Sequence, residues 1–455
     1  MGLAVVGGAG LLGCYHPEPV DSGAVLSELR RADSLPAPAT PPPTGTAPGT
    51  LTEAQSVALA LTWNHDLRAF RLSRGVREGQ ITVASTLNNP VFRFELTHVQ
   101  EGISGFGWDA RLSWTPPQPG VWGGRIGTAK ANLKAYDWQV KEREWGLLCS
   151  VRAAYAGLLA IDEEIRVAEE SVANRRKLVD LVQRQMTQGG STRFNLDLIT
   201  LSLTTADRAQ AARKLAREKA AMSLTQLLGV GPPNGASFSV NGVLDDEAID
   251  APLPDQTALE DRALANRPAL EVSRAQYQAS EQTVRAETAA RWPWISLSSI
   301  PRVREQEAIN ARTDLALGVD VTLPIFDTNV GRVEEAKASR ATARAEMAAT
   351  IADVRNDIAQ ALASVRSNRD VLRRLHAEIE PLLQQHDRLL QLVMKAGELD
   401  LTSLIQSEDL VLAARTQLIQ SKQQLREAHI ALERAVGPSD SSFDGTAPPA
   451  PQTAR

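Results

Sequence analysis

The 455-residue sequence predicts a mainly α-helical protein with a small β part, built from two copies of a long helical hairpin and four short strands. Three observations carry that expectation. No proline occurs between Pro119 and Pro232, and Pro381 alone interrupts the stretch from Pro324 to Pro438. Interior proline removes a helix hydrogen bond and clashes with the preceding turn, so tracts this long, rich in Ala, Leu, Arg and Gln, suit long helices. Elsewhere Trp108-Asp-Ala-Arg-Leu-Ser-Trp114 and Leu315-Ala-Leu-Gly-Val-Asp-Val-Thr-Leu323 alternate apolar and polar residues, the period of a two-faced strand. Finally, landmarks recur after roughly 205 residues, the mark of a tandem duplication. Asn64-His-Asp-Leu67 answers to Asn266-Arg-Pro-Ala-Leu270, Thr115-Pro116 with Gly124-Arg125 to Leu323-Pro324 with Gly331-Arg332, Gly190 to Gly397, and Val230-Gly-Pro232 to Val436-Gly-Pro438.

The elements follow in order. The opening, Gly8-Ala-Gly-Leu-Leu-Gly13-Cys14, fits both a G-x-G-x-x-G nucleotide turn and the end of a bacterial lipoprotein signal. A nucleotide turn requires a helix immediately after its glycines. Here Cys14-Tyr-His-Pro-Glu-Pro19 follows, so residues 1–13 read as a signal peptide and Cys14 as the lipidation site. Residues 14–50 form a Pro-rich, lipid-anchored tether, since Ala37-Pro-Ala-Thr-Pro-Pro-Pro cannot bury a core. The first repeat covers 51–232, with a strand hairpin at about 90–116 and helices at about 123–189 and 193–229. A linker covers 233–256. The second repeat covers 257–438, with a strand hairpin at about 293–324 and helices at about 326–396 and 400–436. Pro381 is expected to kink its helix. Residues 439–455 form a disordered tail.

Helix 125–188 would extend on the order of 100 Å at about 1.5 Å per residue, too long for a small core, so it must lie along its own partner and then along other chains. The helices' apolar stripes, such as Leu147, Val151, Ala154, Leu158, Ile161 and Ile165, point at each other and leave no layer to cover the strands. Strands apolar to one side and polar to the other are also membrane-barrel staves. Trp108, Trp114, Trp122, Trp292 and Trp294 at the strand ends suit an interfacial aromatic belt. Four strands cannot close a barrel, so several chains must pool theirs.

Composition excludes much else. A net charge of −5 gives no reason to expect nucleic acid. Two cysteines, Cys14 and Cys149, are too few for a disulfide framework, and Cys149 reads as buried apolar filler. The six histidines form no H-E-x-x-H, and neither a P-loop nor a G-x-S-x-G elbow is present. His376 and His386 read as solvated helix surface. No catalytic residue, metal ligand or cofactor is expected, beyond a covalent lipid on Cys14. No stretch approaches the roughly 20 apolar residues of a membrane helix.

Leu323-Pro-Ile-Phe-Asp-Thr-Asn-Val-Gly-Arg332, the partner Trp114-Thr-Pro-Pro117 with Gly123-Gly-Arg125, and the Asn-x-x-Leu helix starts are similar to motifs of TolC-like outer-membrane efflux proteins. The resemblance covers about residues 51–438. It implies a homotrimer whose four strands per chain make a shared 12-stranded outer-membrane β-barrel above a trimeric periplasmic α-barrel. It also implies the exit duct of a tripartite pump, partnered by a periplasmic adaptor and an inner-membrane transporter, by default of the resistance-nodulation-division type. Pro116, Gly124, Pro324 and Gly331 then mark the barrel-to-helix junction, and Gly189, Gly190 and Gly397 the periplasmic tip that contacts the adaptor. The family's acidic aperture pair falls on Ser403 and Gln406 here, a departure. Asp197, Glu398 and Asp400 join them as aperture candidates, with Glu408 and Asp409 close by. The rival reading is a lipid-anchored periplasmic coiled coil without a pore; a helical adaptor would carry one hairpin, where this chain has two.

Overall fold

The structure, a computed structural model, describes residues 20–32, 50–99, 105–230, 239–244, 249–250, 252–305, 311–396 and 401–438. Helix α1 (Ser22–Ala32) and the short strand β1 (Thr50–Leu51) precede the first unit. That unit runs α2 (Glu53–Trp63), α3 (His65–Leu72), α4 (Arg74–Ser85), β2 (Val91–Val99), β3 (Gly105–Trp114), α5 (Pro119–Thr187) and α6 (Arg193–Leu228). Strand β4 (Ser239–Val240) returns to pair in parallel with β1. The second unit repeats the order as α7 (Gln256–Asn266), α8 (Pro268–Ala289), β5 (Trp294–Glu305), β6 (Ala311–Thr322), α9 (Val330–Ala396) and α10 (Leu401–Val436).

The duplication is visible atom by atom where each second long helix ends. Asn64 caps α3, its Oδ1 accepting from the Leu67 N–H at 2.9 Å while its Nδ2 donates to the Leu227 carbonyl at 2.9 Å. In the second unit Arg267 holds the cap position before Pro268, and its Nη1 donates to the Ala435 carbonyl at 2.9 Å. Arg267, rather than Asn266, is therefore the counterpart of Asn64, and Leu67 and Leu270 are buried alike. Helix α6 ends on Gly229 at φ 74° and α10 on Gly437 at φ 92°, a left-handed backbone that glycine adopts without steric cost. The left-handed partner of Gly437 is thus Gly229, two residues before the Gly231 that sequence alignment selects.

Each unit has its own core. Tyr155, Leu158, Leu224 and Leu228 pack with Leu59 and Ala60 of α2 in the first, and Ile358, Leu362, Val365 and Leu425 pack with Leu259 and Ala263 of α7 in the second. The hairpins then lie together, α5 antiparallel to α10, with Arg415 to Glu170 at 3.1 Å and Arg152 to Glu433 along the seam. By length and mean hydropathy one window of α5 could cross a membrane, although no run of about 20 consecutive apolar residues occurs in it. Within it Trp145, Cys149, Val151, Tyr155 and Leu158 are buried inside the protein. Helix α9 runs through Pro381 without a break.

Strands β2-β3-β5-β6 form one antiparallel sheet in that order, which leaves β2 and β6 as edges. Its register sorts side chains by face. Phe92, Phe94 and Leu96 stand opposite Leu112, Ala110 and Trp108, and Leu297 and Ile295 opposite Val319 and Val321. The apolar face is exposed, Leu317 to 82%, and Phe94 stacks on Trp108 at 6.1 Å between ring centroids. The other face carries Arg93, Glu95, Asp109, Arg111, Ser113, Ser296, Ser298 and Asp320. Strands of 9 to 12 residues match the roughly 9–11 needed to cross a bilayer at a tilt.

Candidate functional site

Two regions gather the residues that sequence singles out: the far turn of the helical hairpins and the junction between sheet and helices. At the first-unit tip, Gly189 takes φ 78° and the Gly190 N–H donates to the Gln185 carbonyl at 2.8 Å, satisfying a carbonyl that the helix end would leave unpaired. Thr192 then caps α6 by accepting from the Asn195 N–H at 3.3 Å. Asp197 lies one turn into α6, exposed and paired with Arg193 at 3.0 Å. Ser403 and Gln406 are exposed near the start of α10. Gly397, Glu398 and Asp400, with Cys14, lie outside the described residues. Glu408 is buried and Asp409 is drawn into an ion pair, so neither stands as a free acid at the tip.

That ion pair involves a residue that sequence reasoning missed. Arg175 of α5 is 4% exposed at its side chain, and its guanidinium donates to the Ser202 carbonyl at 3.0 Å, to Ser202 Oγ at 2.8 Å and to Asp409 Oδ1. Its Nε has no partner among the described residues. One buried charge thereby joins α5, α6 and α10, and hence both hairpins. Beneath it Leu178, Val182 and Ile199 meet Leu401 and Leu404 in an apolar cluster. No single-sequence signal marks Arg175 among 49 Lys and Arg residues; its two partner residues, Ser202 and Asp409, come from two other helices.

At the junction, Pro116 lies between β3 and α5, and Pro324 between β6 and α9. Gly124 falls inside α5, which begins four residues earlier than the sequence pattern indicates, at Pro119. A Cβ there would sit 2.6 Å from Ala286 Cβ, so glycine lets α5 and α8 touch; Gly120 does the same against Ala289. Gly331 is the second residue of α9 and faces open space within one chain. Just before it Asn329 adopts φ 56° and donates through Nδ2 to the Glu287 carbonyl at 2.8 Å and to Glu287 Oε2 at 2.9 Å. The signal was present in Asp327-Thr-Asn329, since Asn tolerates the left-handed conformation.

Trp108 and Trp294 are partly exposed and Trp292 largely so, while Trp114 Nε1 donates to the Asn88 carbonyl at 2.9 Å. Trp122 Nε1 is buried and has no partner among the described residues. Cys149 is 2% exposed, and burial pushes its thiol up to about 11, so it is packing and not a nucleophile at neutral pH. His376 shares Nδ1 with Glu380 at 2.8 Å. Among the described residues no three of His, Cys, Asp and Glu converge as a metal would require.

Known proteins share this architecture. The model of the outer membrane efflux protein family matches residues 57–230 and 259–438, one match for each unit. The cobalt-zinc-cadmium resistance protein CzcC of Cupriavidus metallidurans is 21% identical over 393 residues, covering 86% of this chain and 91% of CzcC. The solved structure of CusC, described as forming a transmembrane channel, superposes with a TM-score of 0.71 at 18% identity over 85% of this chain and 92% of that one. The outer membrane channel CmeC of Campylobacter jejuni gives 0.70 at 16% identity over 85% of each chain. Two family-length matches, a duplicated hairpin and a sheet with one bare apolar face together make this chain a member of the outer membrane efflux protein family.

Proposed function

We propose that copies of this chain, three as the family resemblance implies, close into one tube that conducts cargo passively across the outer membrane from an adaptor and an inner-membrane transporter. The carrying observation is an internal seam that the chain leaves half repeated. Gly120 and Gly124 of α5 meet Ala289 and Ala286 of α8 inside one chain. By the duplication, with Leu67 matching Leu270, Gly331 stands for Gly124 and Val83 of α4 stands for Ala286. Yet nothing lies within 4 Å of a Cβ at Gly331, Gly75 or Gly79, and Val76 and Val83 are exposed. The α9 edge of one copy therefore fits the α4 edge of the next, a head-to-tail contact that closes a ring. The same step joins edge strands β6 and β2, and three copies supply twelve strands around a polar interior. Joining Val83→Cys with Gly331→Cys should yield, on oxidation in the membrane, a covalent ladder reaching trimer on a non-reducing gel, with neither single variant doing so. A double variant that stays monomeric would overturn the ring. The pore-free coiled-coil alternative leaves an apolar sheet face and two open edges in water, a standing invitation to aggregation.

The tip glycines are read as the adaptor contact, with Asp197, Glu398, Asp400, Ser403 and Gln406 around the aperture. Gating there supports a duct that does not leak at rest. The chain is read as non-enzymic. The inner-membrane partner is read as a resistance-nodulation-division transporter, and the similarity to the cobalt-zinc-cadmium resistance protein CzcC supports divalent metal cations as cargo beside drugs and solvents. Cys14 is read as acylated, which anchors the tether at the same membrane. Labelled palmitate should enter the wild type and be absent from Cys14→Ala; equal labelling would refute the anchor.

A further inference from the structure

A cavity of about 570 Å³ opens where the sheet meets the helices, and its lining has a chemistry that the wall of a tube does not need. Arg77 of α4, Arg125 of α5 and Arg332 of α9 line it together with Trp122, Trp294 and Val121. Arg125 and Arg332 are the arginines of the two repeated Gly-Arg landmarks, so the duplication delivers one from each unit to the same place. Both are exposed, and neither has an ion-pair or hydrogen-bond partner among the described residues. Arg77 is held in position, its guanidinium 5.5 Å over the Tyr136 ring and its Nη1 donating to Gln80 Oε1 at 3.2 Å. Glu287 is the acid in the lining, and its Oε2 already accepts from Asn329. The buried, unpartnered indole N–H of Trp122 belongs to the same lining. Unpaired donors next to apolar ring surface suit a ligand that is anionic at one end and aromatic or aliphatic at the other.

The cavity's side of the wall follows from the strand register. Trp294 alternates with Ile295 and Leu297 of the apolar face and so belongs with Ser296 and Ser298 on the polar one. Along α5 the lining residues Val121, Trp122, Arg125 and Asn132 share one stripe at three- and four-residue spacing, while Lys130 and Lys134 fall off it. If the apolar face meets lipid, the cavity opens on the interior.

We propose that this cavity is an anion-binding station on the inner wall of the duct, taking amphiphilic organic anions such as aromatic sulfonates and carboxylates. The proposal rests on the duct reading above for its place in the wall. Three copies would set nine arginines around one level of the tube, a selectivity element separate from the acidic tip.

The test is calorimetric titration of the purified, detergent-solubilised full chain with naphthalene-2-sulfonate, against neutral 2-naphthalenemethanol of the same ring. The sulfonate should bind more tightly, and the double substitution Arg125→Gln/Arg332→Gln should weaken it at least tenfold without changing the neutral compound. Both arginines are exposed, so the variant should fold as the wild type does, and circular dichroism checks this. Trp122→Phe, which keeps the ring and removes the N–H, should weaken the sulfonate several-fold. Lys130→Gln/Lys134→Gln removes the same charge away from the cavity and should change nothing. Equal affinity for the two compounds, an unchanged sulfonate affinity in the arginine variant, or an equal loss in the lysine variant would each overturn the site. Conductance in planar bilayers is read separately: a protein that conducts but does not discriminate loses the station and keeps the duct, and one that discriminates without conducting does the reverse.

Discussion

Gly229→Ala should be among the most destabilising single-methyl additions in this protein, by about 3 kcal/mol. Two costs combine. At φ 74° an alanine is held in the left-handed region, worth roughly 1–2 kcal/mol. The new Cβ would also lie 2.3 Å from the Trp63 carbonyl oxygen and 2.7 Å from Asn64 Cα. Those are backbone atoms where α2 passes into α3, so no side chain can rotate away, and overpacking of this kind adds about 1–3 kcal/mol. The displaced residue would be Asn64, whose bond to the Leu227 carbonyl ties the entering helix to the end of α6. Gly189→Ala supplies the control, because its φ of 78° is nearly the same while nothing lies within 4 Å of its Cβ. Thermal unfolding followed by helical dichroism should place Gly229→Ala well below Gly189→Ala, with Gly437→Ala, whose nearest atom is 3.0 Å away, between them. Equal melting temperatures for the three would show that the close approach of α6 to α3 is not rigid.

Replacing Arg175 should separate fold stability from closure of the tip. Arg175→Met fills a similar volume without charge, and its former partner Asp409, 59% exposed, returns to water. Exchanging a buried ion for a well-packed apolar side chain is often neutral, so the melting temperature should change little. Asp409→Asn has the opposite profile: it leaves the Arg175 guanidinium buried without its anion, at a cost of about 3 kcal/mol. Both variants cut the ion pair that, of those described between the two hairpins, lies nearest the tip. Under the duct reading both should therefore raise conductance in planar bilayers several-fold. Unchanged conductance in both would mean that the apolar cluster of Leu178, Val182, Ile199, Leu401 and Leu404 holds the tip without help from the charge.

Much of this protein is written in local signals. Proline-free tracts and three-to-four-residue apolar spacing depend on neighbours along the chain, so α5, α6, α9 and α10 were legible from sequence, as was the period-two pattern of β3 and β6. The duplication was legible as well, because both copies keep their turn residues. The bare apolar face of the sheet was legible too, since the strands alternate and the helices' apolar stripes point at each other.

What sequence could not supply depends on which helix faces which across two hundred residues. Local similarity pairs Asn64 with Asn266 and Gly231 with Gly437, whereas three-dimensional contact pairs Asn64 with Arg267 and Gly229 with Gly437. The difference arises because the end of a long helix must meet the start of another, and that fit is set by packing distance and not by residue type. Gly124, read from sequence as a barrel-to-helix junction residue, is a helix-contact glycine for the same reason. Arg175 with Ser202 and Asp409, and Arg77 with Arg125 and Arg332, are ordinary surface-type polar residues in the sequence. Their convergence exists only once helices of 12 to 69 residues are laid side by side, because only then does a given turn of each come level with the others. The sequence alone determined that this would be a duplicated, helical, strand-tipped wall, because those signals are periodic and local. Tertiary structure alone decided which charges meet on it, because meeting is a property of register between distant elements.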